Sequence, residues 1–139
     1  MSNYDAFGTK LKRGGTAGTA IAQVTNISGP GLTAETLDFT SHDSTAGWRE
    51  FGQGLKDGGE ITLDLNFDPA AATHQTASGG LLYDFEAGTA TSYALVFPDS
   101  ATTVWSFSAI VTGFEPAAPM DGKLSASATL KVSGQPTLA

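Results

Sequence analysis

Gly59-Glu60-Ile61-Thr62-Leu63-Asp64-Leu65-Asn66-Phe67-Asp68 alternates between apolar and polar without a fault. A period of two puts Ile61, Leu63, Leu65 and Phe67 on one face of an extended chain and Glu60, Thr62, Asp64, Asn66 and Asp68 on the other, the signature of a half-buried β-strand. Pro69 stops it, because proline has no N–H to give to a ladder. Outward from this stretch the same period recurs. Lys123 to Ser133 sets Leu124, Ala126, Ala128, Leu130 and Val132 against Ser, Thr and Lys. Thr103 to Phe114 places Trp105, Phe107, Ala109 and Val111 on one face, and Ser92 to Phe97 runs into the turn Pro98-Asp99. Upstream, Glu35 to Thr40 sets Leu37 and Phe39 against Thr36, Asp38 and Thr40. Ala20 to Ile27 is extended and closes in Ser28-Gly29-Pro30-Gly31, a turn of positive-φ and fixed-φ residues.

Only the segment after Pro69 has another period. Leu81 and Phe85 are spaced i, i+4, Gly79-Gly80 weakens the pattern and Gly88 is placed to end it, so one helix of about ten residues is expected within 73–87. Six strands and one helix give a mainly β chain, an antiparallel β-sandwich or barrel with one flanking α-helix. Residues 1–19 are expected to form a flexible N-terminal arm, because Gly14, Gly15 and Gly18 oppose a helix. Residues 20–139 are expected to form a single domain. Residues 41–57, SHDSTAGWREFGQGLKD, are too long for an ordinary connection. Trp48, Phe51 and Leu55 make this loop a candidate for contact between molecules.

The chain has 139 residues, no cysteine, seven basic and fourteen acidic residues, and a formal net charge of −7. Lack of cysteine excludes disulfides, thiolate metal sites and thiol nucleophiles. The cations form no basic stripe: five lie near the ends, Lys10, Lys12, Arg13, Lys123 and Lys131, and only Arg49 and Lys56 lie between, so binding through phosphate neutralisation is excluded. No apolar run reaches the roughly 20 residues of a membrane span and no signal-peptide core is present, which predicts a product made in the cytoplasm. Charged residues are only 15 %, against about 25 % in an average globular domain. Such a shortage fits a surface covered by partners.

Catalytic chemistry has little footing. Ser41-His42-Asp43-Ser44 holds the residue types of a triad, but contiguous side chains cannot point at one another in relay, and they serve as local caps. His42 and Asp43 alone are too few for a metal, and the glycines at 14, 15 and 18 lack the Gly-Lys-Ser/Thr of a phosphate loop. No cofactor or metal is expected. Asp38, Glu60 and Asp64 all fall on polar strand faces. If Glu35–Thr40 and Gly59–Asp68 are the arms of one hairpin with 41–57 at its tip, these carboxylates form an acidic stripe, which in a ring would line the hole.

The ordered run Ile27-Ser28-Gly29-Pro30-Gly31-Leu32, Leu37-Asp38-Phe39-Thr40-Ser41-His42-Asp43-Ser44, Gly47-Trp48-Arg49-Glu50-Phe51, Gly54-Leu55-Lys56-Asp57-Gly58-Gly59-Glu60 and Leu65-Asn66-Phe67-Asp68-Pro69 resembles the major tail tube proteins of long non-contractile-tailed bacteriophages. Phe97-Pro98-Asp99, Val111-Thr112-Gly113-Phe114-Glu115-Pro116 and Leu130-Lys131-Val132-Ser133-Gly134 continue it, so that it covers about residue 16 to the end.

The resemblance implies a β-sandwich similar to the tube protein of type VI secretion, stacked as hexameric rings into a hollow virion tail tube. A tape-measure protein would lie inside, with tail terminator and tail-tip proteins as partners. Genome DNA would pass through without specific binding. It also implies a smooth tube, since no immunoglobulin-like segment follows the last strand. On this footing Trp48, Phe51 and Leu55 are expected between rings, with Arg49, Glu50, Lys56 and Asp57 pairing at the rim, and Asp38, Glu60 and Asp64 on the lumen wall. Two alternatives stand beside it: a secretion-tube protein, and a small ligand-binding β-barrel or enzyme using His42 and His74.

Overall fold

The computed structural model describes residues 3–139; Met1 and Ser2 of the expected arm lie outside the described residues. Nine strands and one helix follow in order: β1 (Lys10–Arg13), β2 (Thr19–Ala20), β3 (Val24–Ser28), β4 (Thr33–Asp38), β5 (Phe51–Asp57), β6 (Glu60–Asn66), α1 (Leu81–Ala87), β7 (Thr91–Val96), β8 (Val104–Ala117) and β9 (Ser125–Leu138). Seven strands form one sheet in the order β2-β1-β7-β8-β9-β6-β3, and among the described residues β4 and β5 pair only with each other. The pairings within each sheet are antiparallel.

β2 and β3 are opposite ends of the sheet order yet are separated only by residues 21–23. So short a segment spans at most roughly 14 Å. The sheet must therefore roll until its ends nearly meet. Gln23 makes the crossing with φ near +61° while its carbonyl accepts from Asn66 N–H on β6. The apolar faces of the rolled sheet share one core, in which Leu11, Ile61, Leu63, Leu81, Tyr93 and Leu130 are fully buried. The sandwich or barrel reading thus holds.

Four expectations need correction. Residues 10–13 are no loose arm: β1 pairs with β7 from Lys10↔Val96 to Arg13↔Tyr93, and Leu11 is buried. Four residues were too short a run for periodicity to register. The extended stretch 20–27 is two strands, broken at the crossing. The helix has seven residues and starts at Leu81, because Gly80 lies where a Cβ would strike Gln75 O; its buried positions are Leu81 and Asp84, and Phe85 is exposed. Finally, 41–57 is only partly a loop. Its second half is β5, paired with β4 from Thr33↔Asp57 to Asp38↔Phe51, whereas β6 pairs with β3 and β9. β4 and β6 are not arms of one hairpin, and the single acidic stripe built on that pairing does not exist.

Candidate functional site

The β4–β5 ribbon is the least covered part of the molecule. Its register puts Thr36 opposite Gln53 and Asp38 opposite Phe51 on one face, with Leu37 opposite Gly52 on the other. On that second face Gly52 leaves room for Phe39, whose ring fills the space a Cβ there would need, and Gly54 leaves room for Glu35 and Leu37. Neither face is buried. Phe39 is 62 % exposed, Trp48 75 %, Phe51 57 % and Leu55 78 %. An isolated two-stranded hairpin is marginal in water, and large apolar groups left wet in one place mark an interaction surface.

The end of the ribbon is nevertheless ordered by its own hydrogen bonds. Ser44 Oγ donates to Glu50 Oε2 at 2.8 Å and accepts from Ser41 N–H at 3.0 Å. Phe39 N–H reaches Glu50 O, and Glu50 N–H reaches Thr40 Oγ1, both at 2.8 Å. A single turn of tight helix, Thr45–Gly47, closes the tip, with Ala46 at φ +56°. Trp48 and Arg49 follow it and are displayed outward. Thr40's side chain and N–H hold the Asp38 carboxyl below its ordinary range.

The sequence-predicted residues separate accordingly. Trp48, Arg49, Phe51, Leu55 and Lys56 are exposed on the hairpin. Glu50 is spoken for by Ser44. Asp57 lies at the hairpin's root and pairs with Lys131 of its own subunit at 2.9 Å. Among the described residues Arg49 and Lys56 form no ion pair.

Asp38 belongs to the hairpin, while Glu60 and Asp64 belong to the outer, polar face of β6. That face continues across β9 and β8. Asp64 and Glu115 both stand directly opposite Ser127, one from each side, and Thr62 and Gly113 stand opposite Thr129. Glu60 stands opposite Lys131, and Asn26 Nδ2 donates to Asp64 at 3.4 Å. This face thus carries hydroxyls and carboxylates, with Lys131 on β9 and Lys123 just ahead of it.

Glu115 escaped sequence reading because a bulge between Val111 and Gly113 reverses the parity of β8. Phe114 turns in against the core and Phe67, at 5.5 Å between ring centroids, so Glu115 turns out. The signal was present as Gly113 within the strand pattern followed by Phe114 out of phase.

The two histidines do not meet. His42 is exposed on the hairpin. His74 is fully buried in the body, where Nδ1 accepts from Asp68 N–H at 3.2 Å and Nε2 lies 2.7 Å from Ala22 O. With one nitrogen accepting and the other donating, His74 is a satisfied structural group. Among the described residues no cluster of His, Asp or Glu could hold a metal, and no helix is long and apolar enough to cross a membrane.

The exposed surface totals 8745 Å², about 2,000 Å² above the roughly 6,800 Å² of a compact monomer of this mass. An excess of that size is an interface's worth of surface.

The fold has close structural counterparts. The tail of an empty gene transfer agent particle, refined with C6 symmetry, matches with TM-score 0.76 and 22 % identity over 99 % of both chains. The virion of a native gene transfer agent gives TM-score 0.75 and 22 % identity, again over 99 % of both. A chain of the extended sheath–tube complex of the extracellular contractile injection system PVC gives TM-score 0.72 and 14 % identity, covering 99 % of this chain and 91 % of that one. No curated protein matches by sequence. The family model described as lambda phage tail tube protein, TTP, matches residues 3–139, and the chain belongs to that family.

Proposed function

We propose that this structural tail tube protein polymerises as stacked hexameric rings, with the β4–β5 hairpin of each copy buried against copies in the neighbouring ring. The observation that carries this reading is the hairpin itself: it lies outside the core and displays Trp48, Phe51 and Leu55 to water. Burying one such side chain stabilises by about 1.5–3 kcal/mol, and the contact repeats in every subunit. Arg49 and Lys56, exposed and free of ion pairs among the described residues, pair with carboxylates across the joint. Six-fold symmetry in the gene transfer agent tail supports the ring number. The two ends of the stack are sealed by tail terminator and tail-tip proteins, and a tape-measure protein fills the channel until DNA replaces it.

The polar face of β6, β9 and β8 forms the channel wall in this reading. A duplex carries one negative charge per roughly 1.7 Å. A wall of Asp64, Glu115 and hydroxyls, with Lys131 paired to Asp57 and the single Lys123 lining the same depression as both carboxylates, keeps an excess of negative charge that repels phosphates and lets the duplex slide. Asp38, on the hairpin, is assigned to the ring joint instead. The sheath–tube similarity alone would fit a secretion tube equally well; the full-length family match favours the phage tail.

Electron microscopy of the concentrated protein tests the reading. Hollow tubes or stacked six-fold rings are expected, and loss of both in Trp48→Ala with the fold retained. A strict monomer at every concentration, or normal tubes from Trp48→Ala, contradicts it.

A further inference from the structure

The hairpin leaves the rolled sheet through a root built almost without side chains. Gly29-Pro30-Gly31 enters and Asp57-Gly58-Gly59 returns, and the two segments pack backbone on backbone. A Cβ at Gly59 would strike Gly31 O, one at Gly29 would strike Glu60 O, and one at Gly58 would press on Val132. Gly59 has φ +74°, open to glycine at no steric cost. Its N–H donates to Asp57 Oδ1 at 2.8 Å and its carbonyl accepts from Val132 N–H at 3.0 Å. Across this root Lys131 Nζ, on β9, reaches both oxygens of Asp57 at 2.9 and 3.1 Å. Beside the root lies an open groove of about 680 Å³ between Thr33, Gln53 and Lys56 of the hairpin and Val132, Gln135 and Pro136 of β9.

The ribbon is held to the sheet at this one end, with open space beside it, so its angle to the sheet is set by the contacts at the root. The seven residues of β5 reach about 23 Å at roughly 3.3 Å each, so a tilt of about 10° moves the far end about 4 Å. That displacement exceeds what a packed contact tolerates.

We propose that the Asp57–Lys131 ion pair is the latch that holds the hairpin at one angle to the sheet and so sets the geometry in which one copy meets the next. This rests on the tube reading above. It also gives Lys131 and Asp57 a task inside one subunit, in place of pairing at the rim between subunits.

The test uses Asp57→Asn, which keeps an oxygen to accept from Gly59 N–H, Lys131→Met, and the charge-conserving Lys131→Arg. Since the chain has no cysteine, spin labels on Asp43→Cys at the tip and Glu86→Cys on α1 report the hairpin angle by electron–electron distance measurement in the free subunit. One narrow distance is expected in the parent. Asp57→Asn and Lys131→Met each shift the population toward other distances by up to about fivefold, as an exposed ion pair allows, and Lys131→Arg keeps the parent distance. In polymers, Asp57→Asn and Lys131→Met form fewer tubes or tubes of altered rise and twist, and Lys131→Arg forms parent tubes.

An unchanged distance in Asp57→Asn, or a broad one in the parent, overturns the latch. Moved distances with tubes of unaltered geometry overturn its role in assembly. Absence of tubes from the parent defeats the tube reading, and with it the claim about how copies meet, whatever the labels show.

Discussion

Arg13 and Asp84, 71 residues apart, form a two-bonded ion pair, Nε to Oδ2 and Nη2 to Oδ1, each at 2.8 Å. Asp84 is 2 % exposed and Arg13 24 %, and the Tyr93 hydroxyl donates to the same carboxylate. The pair ties β1 to α1 and to β7. Removing Arg13 leaves the buried Asp84 charge without its counter-ion, so Arg13→Met is expected to lower the unfolding free energy by about 3 kcal/mol. Tyr93→Phe should cost about 2 kcal/mol, the worth of a hydrogen bond to a charged group. Urea denaturation measures both. An unchanged midpoint for Arg13→Met would make β1 the loose arm first expected.

The same pair has a pH signature. Burial pushes the Asp84 carboxyl up, but the bonds from Arg13 and Tyr93 outweigh it and hold its pKa below 3.8. A depressed folded pKa gives stability that is fully present above the unfolded value of about 3.9 and is lost as pH falls through the folded one. In Arg13→Met burial is opposed only by Tyr93 and the neighbouring threonine, so the trend should weaken or reverse, with the variant closing its deficit as pH falls toward 4. Denaturation midpoints of the two proteins across this range decide the sign.

Trp48 should report assembly without reporting folding. Being exposed, Trp48→Ala should change subunit stability by no more than about 0.5 kcal/mol. The chain has two tryptophans, so a Trp105→Phe background isolates the emission of Trp48. It is expected to shift to the blue as polymer forms, and to return to the red on dilution to free subunits. Emission that is unchanged in sedimented polymer would place Trp48 outside the joint.

Charge on the β6–β9–β8 face should decide whether polymer holds DNA. Wild-type polymer is expected not to carry duplex DNA down on sedimentation. Glu115→Lys should retain it, with an affinity that falls steeply with salt, by a log–log slope of about 0.9 for each phosphate contacted. The same substitution at Asp38, on the hairpin, should not. Equal retention by both variants would remove the face from the channel.

Much of the fold was legible because its central strands obey one period. Ile61 to Leu65 and Ala126 to Val132 alternate, and the structure buries their apolar residues as the pattern requires, whereas Phe67 is half-buried and Leu124, expected inward, is exposed just ahead of β9. Legibility failed where short or compensated elements interrupt the period. β1 has only Leu11 as an inward apolar residue, and its stability comes from an ion pair with a residue 71 positions away, which no local pattern contains. β5 reads as Phe-Gly-Gln-Gly-Leu, whose glycines are vacant places filled by Glu35 and Leu37 of β4 and by Phe39 just beyond it. Glu115 was hidden by a bulge that changes parity in mid-strand. Of the candidate surface, the hairpin aromatics could be picked out as apolar groups with no core to enter, whereas Asp57 could not be told from a rim charge until Lys131 was seen beside it.

A helical reconstruction of the polymer tests the central claim most directly. It should show Trp48, Phe51 and Leu55, exposed in the free subunit, buried against neighbouring copies in the next ring, with Asp64 and Glu115 facing the axis. A tube in which Trp48 remains in solvent on the outer surface, with the joint made elsewhere, would contradict it.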